Sequence, residues 1–338
     1  MILVYTIFMA EYISTFITGF GDVVSKDLQR HFPKIKVLNL FDGLIHYKFD
    51  GDSRQLSKII YFNNTFFVLK TMKGKGLNFN SLVGAVSSEA KYFLINKGSF
   101  RVRFVKENQF QKVDKNISKK AEDVVLRNSK LKLDRLSPTT EIWYSIRREN
   151  FAFCGQLISK REFTEKNLNK GELRPEFAYL MCAFANLKND EVIAEPFAGY
   201  GAIPNQITVF CKPQALFVSD IEEKQIEIIE KLPALKKDFV RVFCSDAFEL
   251  SECGVSEVDV VITDPPWGFY EEIADMTDFY KKMFASFRKI LTPDGRMIVL
   301  TARSDSLEEA AELSGVKIVS CLHTLVNGKK AGLFRMIF

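Results

Sequence analysis

Residues 258–268 read VDVVITDPPWG, and this stretch decides the fold class. A six-residue run with Val, Ile or Thr at all positions but one suits a strand buried on both faces, as in a parallel sheet between two helical layers. The run stops at Asp264, where two prolines fix the backbone and remove two N–H donors. A rigid polar turn at the carboxyl end of a buried strand is where an open α/β sheet holds its ligand. Working outward, the spacing predicts further strands over Val192–Ala194, Ala215–Ser219, Val240–Cys244, Arg296–Leu300, Val316–Leu322 and Gly332–Phe338. Helices are expected between them, over Glu176–Ala185, Ile203–Phe210, Glu222–Lys231, Asp278–Leu291 and Leu307–Leu313, with Pro175 in the first turn of the leading one. Such alternation is the pattern of a doubly wound α/β domain, assigned to residues 166–338.

The first half has a different texture. Strands are expected over Tyr12–Thr18 and Leu44–Phe49, a helix over Val23–His31, and helical then strand-like spacing over Ser57–Val68. This order suggests a small ferredoxin-like α+β unit over residues 1–72, closed by the basic connector Lys70–Lys75. A second α+β unit, 73–165, is expected to hold helices over Ser81–Asn96 and Ile117–Leu126, a strand over Phe100–Val105, and paired strands over Glu141–Ile146 and Phe151–Ile158.

Charge divides the chain in the same place. The net +5 of the 338 residues conceals +13 over residues 1–170 and −8 over 171–338. Residues 101–135 carry 11 basic and 5 acidic side chains, among them Arg101, Arg103, Lys106, Lys119 and Lys120. These five are candidate phosphate contacts; an ordinary solvated basic face is the alternative. A hydrophobic share of 47% with 31 Phe excludes a disordered chain. Residues 1–10 are apolar but lack the basic start and cleavage site of a signal peptide, and read as an edge strand. No stretch reaches the roughly 18 apolar residues of a membrane span. Six scattered cysteines without a CxxC pair, and three distant histidines, suit reduced thiols in a cytoplasmic protein and give no metal-ligand spacing.

Four features fall at the ends of successive expected strands. The first is Glu195-Pro196-Phe197-Ala198-Gly199-Tyr200-Gly201, whose glycines permit a tight turn and close backbone approach. Pro204 excludes the dinucleotide fingerprint, so a plain strand-to-helix turn is the alternative. Asp220, followed by Ile221, can accept both hydroxyls of a ribose or cap the next helix. Asp246, followed by Ala247, can accept from an adenine amino group or serve as a cap. In Asp264-Pro265-Pro266-Trp267, a carboxylate and the Pro265 carbonyl offer two acceptors beside an indole. That set suits a flat base bearing an exocyclic NH2; a rigid turn around a buried Trp is the alternative.

Taken in order, these motifs resemble those of Rossmann-fold, S-adenosylmethionine-dependent methyltransferases acting on amino nitrogens. DPPWG is similar to that family's (D/N)PP(Y/F/W) catalytic motif, which implies catalytic roles for Asp264, Pro265, Pro266 and Trp267. The resemblance implies that Glu195 to Gly201 line the methionine and sugar parts of the cofactor, that Asp220 takes the ribose and that Asp246 with Ala247 holds the adenine. ELRPEFAYLM resembles the group's leading helix, with Arg174 and Pro175 near the cofactor carboxylate. The stretch FRVRF…LKLD…SPTTEIWYSI…FCGQLI is similar to a THUMP RNA-binding domain. Together the halves resemble the tRNA guanine-N2 methyltransferases of the acceptor stem, which implies a structured RNA partner and a reaction that needs no metal; no protein partner is implied. The rivals are an adenine-N6 methyltransferase on DNA or RNA, a glutamine-N5 protein methyltransferase, and a non-catalytic RNA-binding protein on the same fold.

Overall fold

The computed structural model describes residues 10–161, 168–269 and 273–338. The strand expected over residues 1–10 lies, Ala10 apart, outside them, as does the expected boundary at 165–166. The described chain forms two units, one of residues 10–16 with 25–161 and one of residues 17–24 with 168–338.

The first unit is built on one nine-stranded sheet. Its strands are β1 (Ala10–Thr15), β2 (Lys36–Phe41), β3 (Leu44–Phe49), β4 (Asn64–Lys73), β5 (Ser99–Lys106), β6 (Gln109–Phe110), β7 (Lys132–Leu133), β8 (Thr140–Arg147) and β9 (Phe151–Lys160). They run β2-β3-β1-β4-β9-β8-β5-β6, with β7 pairing β5. Helix α1 (Gly21–His31) follows β1, while α2 (Phe79–Ser87) and α3 (Lys115–Asn128) lay Leu82, Val83, Val86, Val124 and Val125 into a core with Phe100, Ile142 and Tyr144. Lys70–Lys73, expected as a connector, is strand: β4 pairs β1 on one side and β9 on the other, so one sheet runs across the expected division at residue 72. Strand β2 was hidden because a register shift between Val37 and Asn39 breaks its period of two. The helix expected over Ser81–Asn96 ends at Ser87, where Ser87 and Ser88 hydroxyls bond back to the carbonyls of Val83 and Ala85. Beyond it the buried Gln156 amide serves both the N–H and the carbonyl of Ile95, replacing a helical ladder with one side chain.

The second unit is the expected α/β domain. Its elements are α4 (Pro175–Ala185), β10 (Val192–Glu195), α5 (Ala202–Phe210), β11 (Ala215–Asp220), α6 (Glu223–Ile229), β12 (Val240–Cys244), β13 (Val258–Thr263), α7 (Met276–Ile290), β14 (Leu291–Thr301), α8 (Ser304–Leu313), β15 (Lys317–Val326) and β16 (Lys329–Ile337). Strand order is β12-β11-β10-β13-β14-β16-β15, the first five parallel and β16 antiparallel to both neighbours. Met283, Phe284 and Phe287 of α7 and Leu307 of α8 pack on Val258, Val261, Met297 and Val299. Val260, Ile262, Ile298 and Leu300 are also fully buried, as strands covered on both faces require. Strand β14 starts at Leu291 rather than Arg296, because Pro293 and Gly295 mask a strand that pairs β13 across a register shift. The fold is Rossmann-like, an open and mostly parallel sheet whose strands alternate with helices.

Candidate active site

Parallel pairing brings the carboxyl ends of β10, β11, β12 and β13 to one edge of the sheet. Glu195, which ends β10, is fully buried and does not face the cleft. Its Oε1 accepts from the Phe197 N–H (2.9 Å) and the Thr263 hydroxyl (2.6 Å), while Oε2 is buried without a partner. Burial pushes this carboxyl well above the usual carboxylate range, and Asp264 and Asp220 push the same way. Through these two bonds Glu195 ties the loop after β10 to the last residue of β13, and burial favours its neutral form.

The two loop glycines differ. Both have positive φ, +52° at Gly199 and +79° at Gly201. A Cβ on Gly201 would stand 2.7 Å from Leu232 Cδ1, so this glycine lets the loop pack inward. A Cβ on Gly199 would meet nothing within 4 Å, so its bare backbone faces open space. Asp220 braces the turn, accepting from the Gly199 N–H at 2.7 Å and the Glu222 N–H at 3.0 Å. A carboxylate has about four acceptor sites, so capacity for hydroxyl donors remains. Ile221 beside it is 63% exposed. Asp246 accepts from the Phe248 N–H at 2.9 Å, and buried Ala247 receives the Ser286 hydroxyl on its carbonyl.

A cleft of about 310 Å³ is lined by Phe197, Ala198, Gly199, Tyr200, Ile203 and Asp264, together with Glu172 and Leu173. A second, of about 170 Å³, shares Glu172, Leu173 and Asp264 and is lined further by Pro265, Pro266, Trp267, Phe269, Val326, Asn327 and Lys329. Asp264 is thus common to both. Its Oδ1 accepts the Trp267 indole N–H at 2.9 Å, and desolvation pushes its carboxyl up to about 7. Arg303 Nε donates to the Trp267 carbonyl at 2.8 Å, and Thr301 pins this end of β14 by bonding the Arg303 N–H and Tyr280 hydroxyl.

The structure brings the glycine loop, Asp264, Pro265, Pro266 and Trp267 around two clefts that share Asp264. Pro196 is buried, and Arg174 caps α4 with its Nε 3.5 Å from buried Glu176 while Pro175 opens that helix, so these three do not line it. Asp220, Ile221, Asp246 and Ala247 lie at the neighbouring strand ends rather than in its walls. Sequence reading missed Thr263, Glu172, Arg303, Phe269 and the turn at Asn327. For the last a signal was present: Asn-Gly between two apolar runs marks a tight hairpin.

In the first unit, Arg101 is clamped on Glu141, with Nε at 2.6 Å from Oε1, and the Trp143 indole N–H takes Oε2 at the same distance. Arg103 lies 3.7 Å from Glu141 and 4.9 Å over the Phe110 ring. Both arginines therefore brace β5 against β8. Lys106, Lys119 and Lys120 are exposed. Among the described residues no three His, Cys, Asp or Glu side chains gather as a metal site requires, and no helix is long and apolar enough to cross a membrane.

Residues 212–330 match the family UPF0020, described as an RMKL-like methyltransferase domain. No curated protein matches the sequence. Among solved structures, TrmN from Thermus thermophilus is similar over 96% of this chain and 98% of its own, with TM-score 0.77 and 19% identity. SMU.472, solved in complex with SAH, is similar over 97% of both chains, with TM-score 0.70 and 14% identity. A predicted N6-adenine-specific DNA methylase from Listeria monocytogenes covers 97% of this chain and 96% of its own, with TM-score 0.67 and 14% identity. At these identities the likeness is one of fold.

Proposed function

We propose that this protein transfers a methyl group from S-adenosylmethionine to an exocyclic amino nitrogen of a nucleobase in RNA, specifically N2 of a guanosine in tRNA. The observation that carries the reading is Asp264 at the junction of the two clefts, with Pro265, Pro266 and Trp267 lining the second. The first cleft fits the cofactor. Its size, about 310 Å³, lies at the lower end of the roughly 300–1,000 Å³ of small-molecule sites. Gly199 leaves open space where any side chain would intrude, and Asp220 retains acceptor capacity beside it. The likeness to SMU.472, solved with SAH, supports this assignment. When bound, S-adenosylmethionine supplies a methyl group already activated on a sulfonium.

The chain's own work is then positioning and acceptance. Asp264 and the Pro265 carbonyl accept hydrogen bonds from the amino group and orient its nitrogen. Trp267, fixed by its bond to Asp264 and by Arg303, presents an indole on which an extruded base can stack, offsetting part of the few kcal/mol that unstacking costs. Asp264, poised near 7, receives the proton that the methylated nitrogen sheds. RNA is preferred to DNA because the first half carries +13 and resembles a THUMP module, and guanine N2 is taken from the resemblance of the two halves together to the tRNA guanine-N2 methyltransferases. In the first unit, Lys106, Lys119 and Lys120 are assigned to RNA phosphates, whereas Arg101 and Arg103 serve chiefly to hold its sheet. The test is Asp264→Ala. S-adenosylhomocysteine binding by calorimetry should stay within a few-fold of wild type while methylation of tRNA disappears; near-normal turnover would falsify the assignment of Asp264.

A further inference from the structure

A second carboxylate, that of Glu172, lines both clefts together with Asp264, and the methyl transfer itself gives it no task. Residues Asn169–Glu172 form a tight turn, in which the Glu172 N–H donates to the Asn169 carbonyl at 3.2 Å. The half-buried Glu172 side chain locks the same turn: its Oε2 accepts from the Asn169 N–H at 3.0 Å and from the Asn169 amide at 2.8 Å. One oxygen thus holds the side chain in place, and among the described residues no bond draws on Oε1. Asp264 has less to spare. Its Oδ1 already receives the Trp267 indole N–H, and with the Pro265 carbonyl it has the two hydrogens of the amino group to hold. Guanine presents a third donor beside them, the ring N1–H. Left unpaired in a closed site that donor costs free energy, so a guanine site needs a further acceptor. Adenine differs at this atom, because its N1 carries a lone pair and no hydrogen.

We propose that Glu172 Oε1 accepts the ring N1–H of the target guanine, which makes Glu172 the residue that selects guanine over adenine. The inference rests on the reading of these clefts as the site of guanine-N2 methylation, and it supplies the base selectivity of that reaction. N1 and N2 are neighbours on one edge of the ring, so two carboxylates lining the same cleft can serve both. The oxygen that satisfies guanine sets lone pair against lone pair on adenine, and one acceptor therefore discriminates twice. Glu172 contacts an atom that does not react; it determines specificity and leaves proton transfer to Asp264.

The test compares wild type, Glu172→Gln and Glu172→Ala on bulk tRNA with labelled S-adenosylmethionine. Nucleoside mass spectrometry quantifies N2-methylguanosine and N6-methyladenosine, and S-adenosylhomocysteine calorimetry reports on the fold and the cofactor site. Glu172→Gln is the sharper variant, because its amide oxygen can still accept both Asn169 bonds and then turns its NH2 toward the cleft. That donor opposes guanine N1–H and suits adenine N1. N2-methylguanosine formation should fall about 10- to 100-fold in both variants. The share of N6-methyladenosine should rise in Glu172→Gln, with cofactor affinity within a few-fold of wild type. A product ratio in Glu172→Gln equal to that of wild type overturns the assignment, whether or not the rate falls. So does a loss of cofactor affinity as large as the loss of product, which would put Glu172 on the cofactor. The wild-type arm reads the function separately: N6-methyladenosine as its product would refute the guanine reading itself, whereas N2-methylguanosine with an unaltered variant ratio condemns Glu172 alone.

Discussion

Asp264 and Glu195 are both carboxylates raised by burial, and they serve different ends. Asp264 faces the clefts with its carboxyl pushed up to about 7, and must be ionised to accept from an amine. Methylation kcat/KM should therefore rise with pH through about 7, and a flat profile from pH 5.5 to 8.5 would contradict the assigned role. The stability effect has the opposite sign. A carboxyl raised in the folded state favours folding in its protonated form, and that contribution fades as pH climbs from about 4 to about 7. Asp264→Asn should remove this drift and raise the thermal midpoint relative to wild type at pH 8, by an amount equivalent to roughly 1–3 kcal/mol. Glu195 is fully buried, which favours its neutral form, and its Oε1 accepts from the Phe197 N–H and the Thr263 hydroxyl. Glu195→Gln should be nearly silent in denaturant titrations, while Glu195→Ala, which strands two buried donors and leaves a cavity, should cost about 2–4 kcal/mol. The sequence marks Glu195 as part of a glycine motif but not as a brace, because its partner Thr263 lies 68 residues away and only the pairing of β10 with β13 brings them together.

Among elements, the turn after β10 carries the clearest division of labour. Gly201→Ala must accommodate a Cβ 2.7 Å from Leu232 in a left-handed conformation, and should destabilise by about 1–3 kcal/mol in thermal melts. Gly199→Ala carries the conformational cost without the clash, yet projects a methyl into the cleft; its loss should appear in S-adenosylhomocysteine affinity more than in melting. Equal effects of both variants on both readouts would remove the distinction. Strand and helix identities in the second unit were legible because apolar runs between turn residues signal their period directly. What escaped notice did so for local reasons: the bulge in β2, Pro293 and Gly295 inside β14, and the side-chain surrogate at Gln156 each break the periodicity on which reading depends.

For the whole molecule, the charge division was visible in composition, and its boundary coincides with the start of the α/β domain. Charge could not say which cations are occupied within the fold: Arg101 and Arg103 are drawn onto Glu141, leaving Lys106, Lys119 and Lys120 as the exposed members of the set. A Lys119→Glu/Lys120→Glu variant should therefore bind tRNA with a salt slope shallower by about two units, with cofactor affinity retained; an unchanged slope would take α3 out of the RNA interface. The central claim is reached most directly by incubating the full chain with labelled S-adenosylmethionine and bulk tRNA, then digesting the RNA for nucleoside mass spectrometry. Label in N2-methylguanosine is the predicted result, whereas label confined to N6-methyladenosine, or none in RNA, would contradict it.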